Sequence, residues 1–536
     1  MIAGFIKKLE NTDIDFKTFL IVFFGVVLVR FVLESFASHG FYAPFYGFTG
    51  SFLHFPIWFA SVFVWLMIFL KLITGESIEK IARFQIFLFP IIWFPPLFDL
   101  LITGGAGIKI HYIFASALGE WKDYFLNFFF KSNISPGLRI ESIVILAFVG
   151  AYVYFKTQKK WLIPVAVVGV YSILFLHGSF PSVPLVIQSF DGNAVSPYLF
   201  YKNLSLRQDL LIGENYLRGA GFSERSEIFF NIFSAGVVYV GLIVGLAVAL
   251  FLRGRNEFFA FIRNIRPLRL FHYWLTFFLG VGAAYLTFGI KPVFDFYNLL
   301  GLAVILLSVA FAWLRSVFEN DLNDLEADKI SNSQRPLVKK EISADEAKKF
   351  NLVLFGLSAV GALIVGYHAF ILILFAQFIA FIYSTPPFQL KKFPIVNPVL
   401  IAVVSVSVIL NGFFWLAPSA NMEQFPLKFL LAALIIFSLG ANFKDIKDFH
   451  GDKKAGIKTI PVIFGEKNGK MIVGVLFFLA ALGGAVVLNE MILLLPAIVF
   501  GAAGFFLINR ERYSEKPVFA VYFAYILSII LFYGLK

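Results

Sequence analysis

Continuous apolar runs of about 20 residues recur along this chain of 536 residues, and they limit its fold more than any other feature. As an α-helix, a run of this length matches the apolar core of a bilayer, whereas a transmembrane β-barrel would show alternating segments of about 10 residues. Hydrophobic residues make up 59% of the chain and charged residues only 15%, too few to cover a soluble domain. The sequence therefore predicts an all-α polytopic membrane protein.

The apolar runs predict about 15 transmembrane helices, divided by a basic segment at 253–269. Six predicted helices precede this segment, near 18–36, 55–73, 84–103, 140–156, 161–177 and 229–252. Nine follow it, near 270–290, 297–317, 351–366, 369–384, 396–416, 427–442, 471–488, 491–508 and 517–534. We take the basic segment as a domain boundary, which predicts one domain at 1–255 and a second at 256–536.

Charge distribution predicts the orientation of the helices. The segment 110–130 carries a Glu-Trp-Lys-Asp sequence at its centre, so we predict that it is interfacial or re-entrant rather than spanning. Lys156 then lies on the same side as Lys71, as the positive-inside rule requires. This arrangement predicts a cytoplasmic N-terminus and an outer location for the polar stretch 178–228.

The net charge of +12 would suggest a nucleic-acid partner in a soluble protein. In a membrane protein, we attribute it to lysines and arginines in cytoplasmic loops that face anionic lipids and substrates, and we predict no nucleic-acid partner. The chain has no cysteine, which excludes disulfides, thiolate metal sites and thiol nucleophiles.

Two acidic clusters follow the predicted helices near 297–317 and 427–442. In both, three aspartates are spaced i, i+3 and i+7: Asp321, Asp324 and Asp328 in the first cluster, and Asp445, Asp448 and Asp452 in the second. This spacing places the three carboxylates on one face of a continuing helix. Four predicted crossings separate the clusters, and because four is even, both emerge on the same side of the membrane.

Carboxylates that face one another repel unless cations lie between them. Oxygen ligands without a set of His or Cys residues favour Mg²⁺, with Mn²⁺ as the alternative. Basic residues on the same side could bind an anion: Arg335, Lys391, Lys392 and Lys454. Acids for a metal together with bases for an anion suit a metal-bridged diphosphate. Because this site lies between membrane helices, we expect the rest of the substrate to be a lipid tail.

Other interpretations of these clusters are open at this stage. Charged loop residues at a membrane surface are commonly only solvated, although two clusters with identical spacing disfavour this. A transporter of a divalent cation or an anionic solute is the alternative function, but transporter sites usually lie near the bilayer midplane. A scaffold with a degenerate enzyme domain is disfavoured because all six aspartates are present.

The motifs of the C-terminal half resemble those of the UbiA superfamily of intramembrane prenyltransferases. The first motif matches the pattern N-D-x-x-D-x-x-x-D at Asn320, Asp321, Asp324 and Asp328, and Arg335-Pro336-Leu337 follows it. The second matches D-x-x-D-x-x-x-D-x-x-x-G-x-x-T-x-P at Asp445, Asp448, Asp452, Gly456, Thr459 and Pro461. Between them, the sequence from Tyr383-Ser384 to Lys391 resembles a family loop, with Gln389 where the family often has an arginine.

The resemblance implies a C-terminal bundle of nine helices that transfers an isoprenyl group from its diphosphate to an aromatic or lipid acceptor within the membrane. It implies catalytic roles for Asp321, Asp324, Asp445 and Asp448. It implies Mg²⁺ ligands at Asn320, Asp321, Asp324, Asp328, Asp445, Asp448 and Asp452. It implies diphosphate contacts from Arg335, Lys391, Lys392, Lys454 and Tyr383. The expected partners are an isoprenyl diphosphate donor, a hydrophobic acceptor and membrane lipids.

The N-terminal half contains no motif of this kind, but it has charges within predicted helices. Arg30 and Glu34 are spaced i, i+4, and both a functional role and a structural ion pair are open for them. Asp99 lies near the outer end of its predicted helix, where a snorkelling or loop role is expected. We expect His177 and His368, at helix ends, to be structural.

Overall fold

A computed structural model of the chain describes residues 2–37, 49–108, 112–190 and 222–535. The regular elements of these residues are all helical, which confirms the predicted all-α class. Fifteen helical segments among them are long and apolar enough to cross a membrane, one for each predicted span. They run over Phe16–Ser35, Thr49–Thr74, Ile78–Ile102, Pro136–Thr157, Leu162–Ser189, Ile228–Arg253, Pro267–Phe288, Phe296–Asn323, Ala344–Val365, Tyr367–Ser384, Val396–Leu416, Leu427–Asp445, Glu466–Leu488, Met491–Ile508 and Glu515–Gly534.

The described residues divide into two compact units, one ending at Phe258 and one beginning at Phe259. Shorter helices accompany the spans in each unit. In the first unit they are Ile2–Asn11, Leu118–Asn127 and the beginning of Arg255–Arg263. In the second unit they are Leu325–Ser331, Phe449–Ala455 and Ile460–Phe464. The described residues of the segment predicted to be interfacial contain a short helix, Leu118–Asn127, followed by the 3₁₀ turn Phe128–Phe130. Residues 110 and 111 of this segment lie outside the described ranges.

An interrupted helix is a main feature of the first unit. The span Ile78–Ile102 changes from α-helix to a 3₁₀ turn at Phe89–Trp93 and then continues as α-helix. At this turn Arg30 donates a hydrogen bond to the carbonyl oxygen of Ile92, and it forms an ion pair of 2.8 Å with Glu34. The structure thus contains the ion pair expected from the i, i+4 spacing.

Other polar groups of the first unit are buried, and one of them differs from expectation. Asp99 is fully buried rather than snorkelling, because its carboxylate accepts a hydrogen bond of 2.8 Å from the backbone N–H of Gly137. His177 hydrogen-bonds Ser61 at 3.0 Å, consistent with a structural role. The predicted outer stretch 178–228 begins later than expected, since helical structure continues to Ser189. Its residues 191–221 lie outside the described ranges.

Close helix packing organises the second unit. The helices Pro267–Phe288 and Val396–Leu416 cross at Gly280 and Gly412, where an added Cβ would lie 1.8 and 1.9 Å from backbone oxygens of the facing helix. Only glycine permits this approach, as in other membrane helix pairs. The contact fixes the relative position of two helices that line the cavity described below.

Both acidic motifs lie where a long helix gives way to a short one. The helix that begins at Phe296 ends at Asn323, and Leu325–Ser331 continues after Asp324. The second motif starts in the 3₁₀ turn Ala441–Asp445 and continues into Phe449–Ala455. These breaks allow each motif to bend across the end of the bundle. Ser343 and Glu346 form a capping box at the start of the next long helix, which ends the loop after the first motif.

Candidate active site

A cavity of about 250 Å³ lies within the second unit, between the ends of its long helices. Acids from both motifs line one end of it: Asp324, Asp328, Asp445, Asp448 and Asp452. Apolar and aromatic side chains line the remainder, among them Trp313, Ile373, Leu400, Val408, Phe437 and Phe519. The cavity can therefore accommodate a molecule with a charged head and an apolar tail.

The first motif is held by basic side chains. Arg335 donates to Asp321 at 3.0 Å and also pairs with Asp328, while Arg266 contacts Asp321 at 2.5 Å. Asp321 is only 1% exposed and lies outside the cavity lining, behind Arg335. Its second oxygen, Oδ2, has no hydrogen-bond partner among the described residues. Asp321 thus anchors the two arginines, and Asp324 and Asp328 face the cavity.

Two residues shortly after the first motif, Ser331 and Asn332, contact the second motif. The side chain of Asn332 donates hydrogen bonds to Asp328 at 3.1 Å and to Asp448 at 3.0 Å. Ser331 supports the same junction by accepting a hydrogen bond of 2.8 Å from the backbone N–H of Gly451. The two motifs, separated by more than 100 residues in sequence, therefore form one continuous polar surface.

The loop after the helix Tyr367–Ser384 reaches the first motif. Lys391 is buried, and its ammonium group lies 3.1 Å from Asn320 Oδ1 and 2.5 Å from Asp324 Oδ1. Tyr383 donates a hydrogen bond of 3.0 Å to Asn397 and accepts one of 3.4 Å from Lys444. The loop thus adds the Lys391 cation to the acidic end of the cavity, and the end of the preceding helix adds the fixed hydroxyl of Tyr383.

Crowded charges shift the pKa values of the acids at this end. Burial, together with the neighbouring negative charges of Asp445 and Asp448, raises the pKa of Asp452 to about 8. Burial also raises the pKa of Asp328 to about 6, against the lowering effect of Arg335. Burial lowers the pKa of Arg335, but Asp321, Asp328 and Asp448 outweigh this, so its pKa is raised. The raised pKa values of Asp328 and Asp452 mean that their ionised forms are disfavoured in the folded protein, and a bound cation would stabilise those ionised forms.

The residues present suit Mg²⁺ by their chemistry. Carboxylate oxygens from two motifs face one cavity, and among the motif aspartates the Oδ2 atom of Asp321 is buried without a hydrogen-bond partner in the described residues. Within the described ranges, no three acidic or histidine side chains stand close enough together to form a ready-made metal cluster. Asp328 is instead paired with Arg335, and Asp324 with Lys391. A bound metal with its anionic ligand could replace these positive charges as the partners of the two acids.

Not every residue singled out from the sequence lies at the cavity. Asn320, Arg335, Tyr383 and Lys391 line it together with the five acids named above. Lys392 and Lys454 are exposed and lie outside the lining. Sequence reasoning did not identify Arg266, Arg269, Asn332, Asn397 and Lys444 as site residues, although all five line the cavity. The sequence shows that Arg266, Arg269 and Lys444 are charged, but no local sequence pattern indicates that they line a cavity.

Comparison with known proteins supports the sequence resemblance. The model of the UbiA prenyltransferase family matches residues 268–529, which confirms the resemblance for this part of the chain. A digeranylgeranylglyceryl phosphate synthase of Pyrococcus horikoshii is 29% identical over 222 residues, which cover 41% of this chain and 74% of that protein. The corresponding enzyme of Sulfolobus acidocaldarius is 30% identical over 170 residues, covering 30% of this chain and 58% of that protein.

A probable chloroplastic homogentisate phytyltransferase 2 of Oryza sativa is 28% identical over 156 residues, or 28% of this chain and 41% of that protein. Among solved structures, a UbiA homologue from Archaeoglobus fulgidus bound to GPP and Mg²⁺ is 24% identical. It covers 52% of this chain and 98% of its own length, with a TM-score of 0.40.

Proposed function

Residues 268–529 belong to the UbiA prenyltransferase family, and we propose that they transfer an isoprenyl group from its diphosphate to an aromatic or lipid acceptor within the membrane. The observation that carries this proposal is the cavity, because both acidic motifs line its polar end and apolar side chains line the rest. A diphosphate would occupy the polar end, and the prenyl chain would extend along the apolar wall. The named relatives, which act on lipid or aromatic acceptors by their names, agree with this assignment.

We assign Mg²⁺ binding to the acids of the two motifs, with Mn²⁺ as a substitute. The proposed ligands line the cavity: Asn320, Asp324, Asp328, Asp445, Asp448 and Asp452. Asp321, which the resemblance also implied as a ligand, lies outside this lining. When bound, the metal would neutralise the negative charge that develops on the diphosphate as it leaves. We assign catalytic roles in this step to Asp324, Asp445 and Asp448, which line the cavity. Because Asp321 lies behind Arg335, its role would be to hold that arginine in place.

Basic residues would bind the diphosphate directly. Arg335 and Lys391 line the cavity and offer fixed positive charge. Tyr383, which donates its hydroxyl proton to Asn397, would act by holding the ammonium group of Lys444 at the polar end of the cavity. Lys392 and Lys454, which are exposed, would act by attracting the anion toward the cavity mouth.

The apolar wall would protect the reactive carbon. Loss of diphosphate leaves an allylic cation, which water captures unless the chamber excludes it. Trp313, Tyr273, Phe437 and Phe519 line the wall, and their ring faces would stabilise the cation. No feature of the cavity favours the transporter alternative, since the acids lie at helix ends rather than at midspan.

We further propose a division of labour and an orientation. Residues 1–255 would serve docking, acceptor delivery or partner binding, while residues 256–536 would carry out the chemistry. The protein would be a multi-pass membrane protein whose N-terminus and motif loops face the cytoplasm, because the basic loop residues collect on that side.

The decisive test of the transfer reaction is product analysis. Purified full-length protein is incubated with geranylgeranyl diphosphate, Mg²⁺ and a panel of phenolic and glycerol-lipid acceptors, and products are identified by mass spectrometry. We expect diphosphate release together with a prenylated acceptor. Asp345→Ala, which removes an exposed acid outside the cavity, is the matched control for variants of the motif acids. Absence of any prenylated product across the panel would contradict the proposed function.

A further inference from the structure

A second polar group lies in the cavity wall, and neither acidic motif contributes to it. His272 and Tyr522 both line the cavity, on the helices that begin at Pro267 and Glu515. The hydroxyl of Tyr522 lies 2.7 Å from Nδ1 of His272, and the hydroxyl of Ser405 lies 3.0 Å from Nε2. We call these three residues the Tyr-His-Ser group.

The hydrogen bonds of Ser405 determine which ring nitrogen carries the proton. Ser405 donates its single hydroxyl proton to the carbonyl oxygen of Ile401 at 2.9 Å, so its oxygen accepts from His272. Nε2 of His272 is therefore the protonated nitrogen of a neutral imidazole. Nδ1 is then left with a free lone pair, and it accepts a hydrogen bond from the hydroxyl of Tyr522.

This arrangement makes the hydroxyl of Tyr522 a proton acceptor. Its own proton points to Nδ1, so its oxygen lone pairs are available to a hydroxyl group in the cavity. Phe437 packs edge-on against the imidazole with ring centroids 5.2 Å apart, and Ser405 is fully buried. The imidazole is thus held in one orientation, as a positioned general base requires.

The group also lies at the depth where the reaction would occur. Arg269, at the polar end of the cavity, precedes His272 by three residues on the same helix, a rise of about 4.5 Å. The reacting carbon of a prenyl diphosphate is bonded directly to the diphosphate oxygen. It would therefore lie just inside the acidic end of the cavity, at the level of His272 and Tyr522.

Prenyl transfer to a hydroxyl group requires a base. The bond between C1 and the diphosphate oxygen breaks with its electron pair, a new bond forms between C1 and the acceptor oxygen, and the acceptor loses its proton. In a chamber that excludes water, this proton needs a protein acceptor. We propose that the Tyr-His-Ser group takes the proton that a hydroxyl group of the acceptor loses on prenylation.

In this step Tyr522 receives the acceptor proton while its own proton passes to Nδ1 of His272, which becomes an imidazolium. The departing diphosphate, which is an anion, later takes up this proton, so the group returns to its starting state. Tyr522 would contact the acceptor directly, whereas His272 and Ser405 are positioning residues that act through it. The inference rests on the proposed prenyl transfer and names the residues that would remove the acceptor proton.

The test separates donor cleavage from transfer. Full-length Tyr522→Phe and His272→Gln proteins are assayed with geranylgeranyl diphosphate and Mg²⁺, first without acceptor for diphosphate release, then with a 1-O-alkylglycerol phosphate for ether formation. We expect kcat for transfer to fall about 100-fold or more, as for loss of a general base, while diphosphate release and the KM for donor stay unchanged. Retained diphosphate release also shows that each variant is folded.

Acceptor acidity provides a readout that a structural defect would not change. Fluorine on the carbon next to the hydroxyl group makes the acceptor more acidic, so its prenylation depends less on a general base. Such an analogue should therefore recover most of the transfer rate that both variants lose. Tyr525→Phe is the matched control, because Tyr525 lies on the same helix and donates to the carbonyl of Ala481 outside the cavity lining. It should retain transfer.

Three results would overturn the inference. These are full ether formation by Tyr522→Phe, an equal loss of diphosphate release and transfer, or transfer by the unsubstituted protein to aromatic carbon alone. Failure of the unsubstituted protein to prenylate any acceptor would instead contradict the proposed function.

Discussion

The side-chain amide of Asn332 donates a hydrogen bond of 3.0 Å to Asp448, and this contact joins the two acidic motifs into one surface. The same amide also reaches Asp328 at 3.1 Å. Because each proton of the amide is directed at a carboxylate, Asn332 fixes the spacing between the motifs without adding charge.

Replacing Asn332 by alanine should therefore impair the site. Hydrogen bonds to charged groups contribute about 1.5–3 kcal/mol, so we expect Mg²⁺-dependent diphosphate release to fall about 10- to 100-fold. The measurement is diphosphate release against Mg²⁺ concentration. Asn323→Ala is the matched control, because Asn323 lies within the first motif but outside the cavity lining. Equal activity of both variants would show that the bridge is not needed.

Metal removal should abolish activity. The motifs offer only oxygen ligands, so a chelator should stop diphosphate release and added Mg²⁺ or Mn²⁺ should restore it. Asp445→Asn should lower the rate by at least about 10²-fold, similar to the loss of one electrostatic partner in an active site. Full turnover in excess chelator, with metal loss verified by elemental analysis, would contradict this mechanism.

Metal binding should also depend on pH through Asp452, whose pKa is raised from 3.8 to about 8. In metal-free folded protein this acid retains a proton that the unfolded chain releases, so stability should fall as pH rises toward 8. Mg²⁺ binds the ionised form and opposes this loss. We expect the Mg²⁺-induced rise in Tm to be larger near pH 8.5 than near pH 6.5. Asp452→Asn should remove the difference, and an identical rise at both pH values in the unsubstituted protein would refute the assignment.

Topology can be tested by single-cysteine labelling, since the chain has no cysteine of its own. Cysteines placed in 318–350, 384–395 and 443–470 should react with a membrane-impermeant reagent from the same side as the N-terminus. A cysteine in 178–228 should react from the opposite side. Labelling of 443–470 and 318–350 from opposite sides would eliminate a site shared by the two motifs.

The proposed division of labour predicts the behaviour of a shortened chain. The cavity-lining residues all follow Asn256, so a protein beginning there should bind donor and release diphosphate with Mg²⁺ in detergent. Full-length protein is the reference, and thermal unfolding checks that the shorter chain is folded. A folded but inactive protein would mean that the first unit completes the site.

Most of the helices could be predicted from the sequence, because an apolar run of spanning length is a local property. The aspartates could also be identified as a site, since i, i+3, i+7 spacing is readable from adjacent residues. The role of Asp321 could not. Asp321 and Asp445 are the first aspartates of two motifs with identical spacing. Asp321 is nevertheless buried behind Arg335, because Arg266 also contacts it from a different part of the fold.

Other parts of the site depend on packing that no local pattern encodes. Lys391 and Lys392 are adjacent in a 3₁₀ turn, yet one is buried at the cavity and the other is exposed. The Tyr-His-Ser group brings together residues more than 100 positions apart, on three helices. Two of those helices, which carry His272 and Ser405, are joined by the close contact at Gly280 and Gly412, which is visible only in the folded structure.

The interrupted helix of the first unit explains why a guanidinium group lies among apolar helices. In an uninterrupted α-helix the carbonyl of Ile92 would accept from the N–H of residue 96, but that residue is a proline and has none. Arg30 supplies the missing donor from a neighbouring helix, and Glu34 neutralises its charge. Pro96 and Arg30, 66 positions apart, thus form one compensating pair. Hydropathy scales score the arginine as unfavourable for insertion, although the proline creates the need for it.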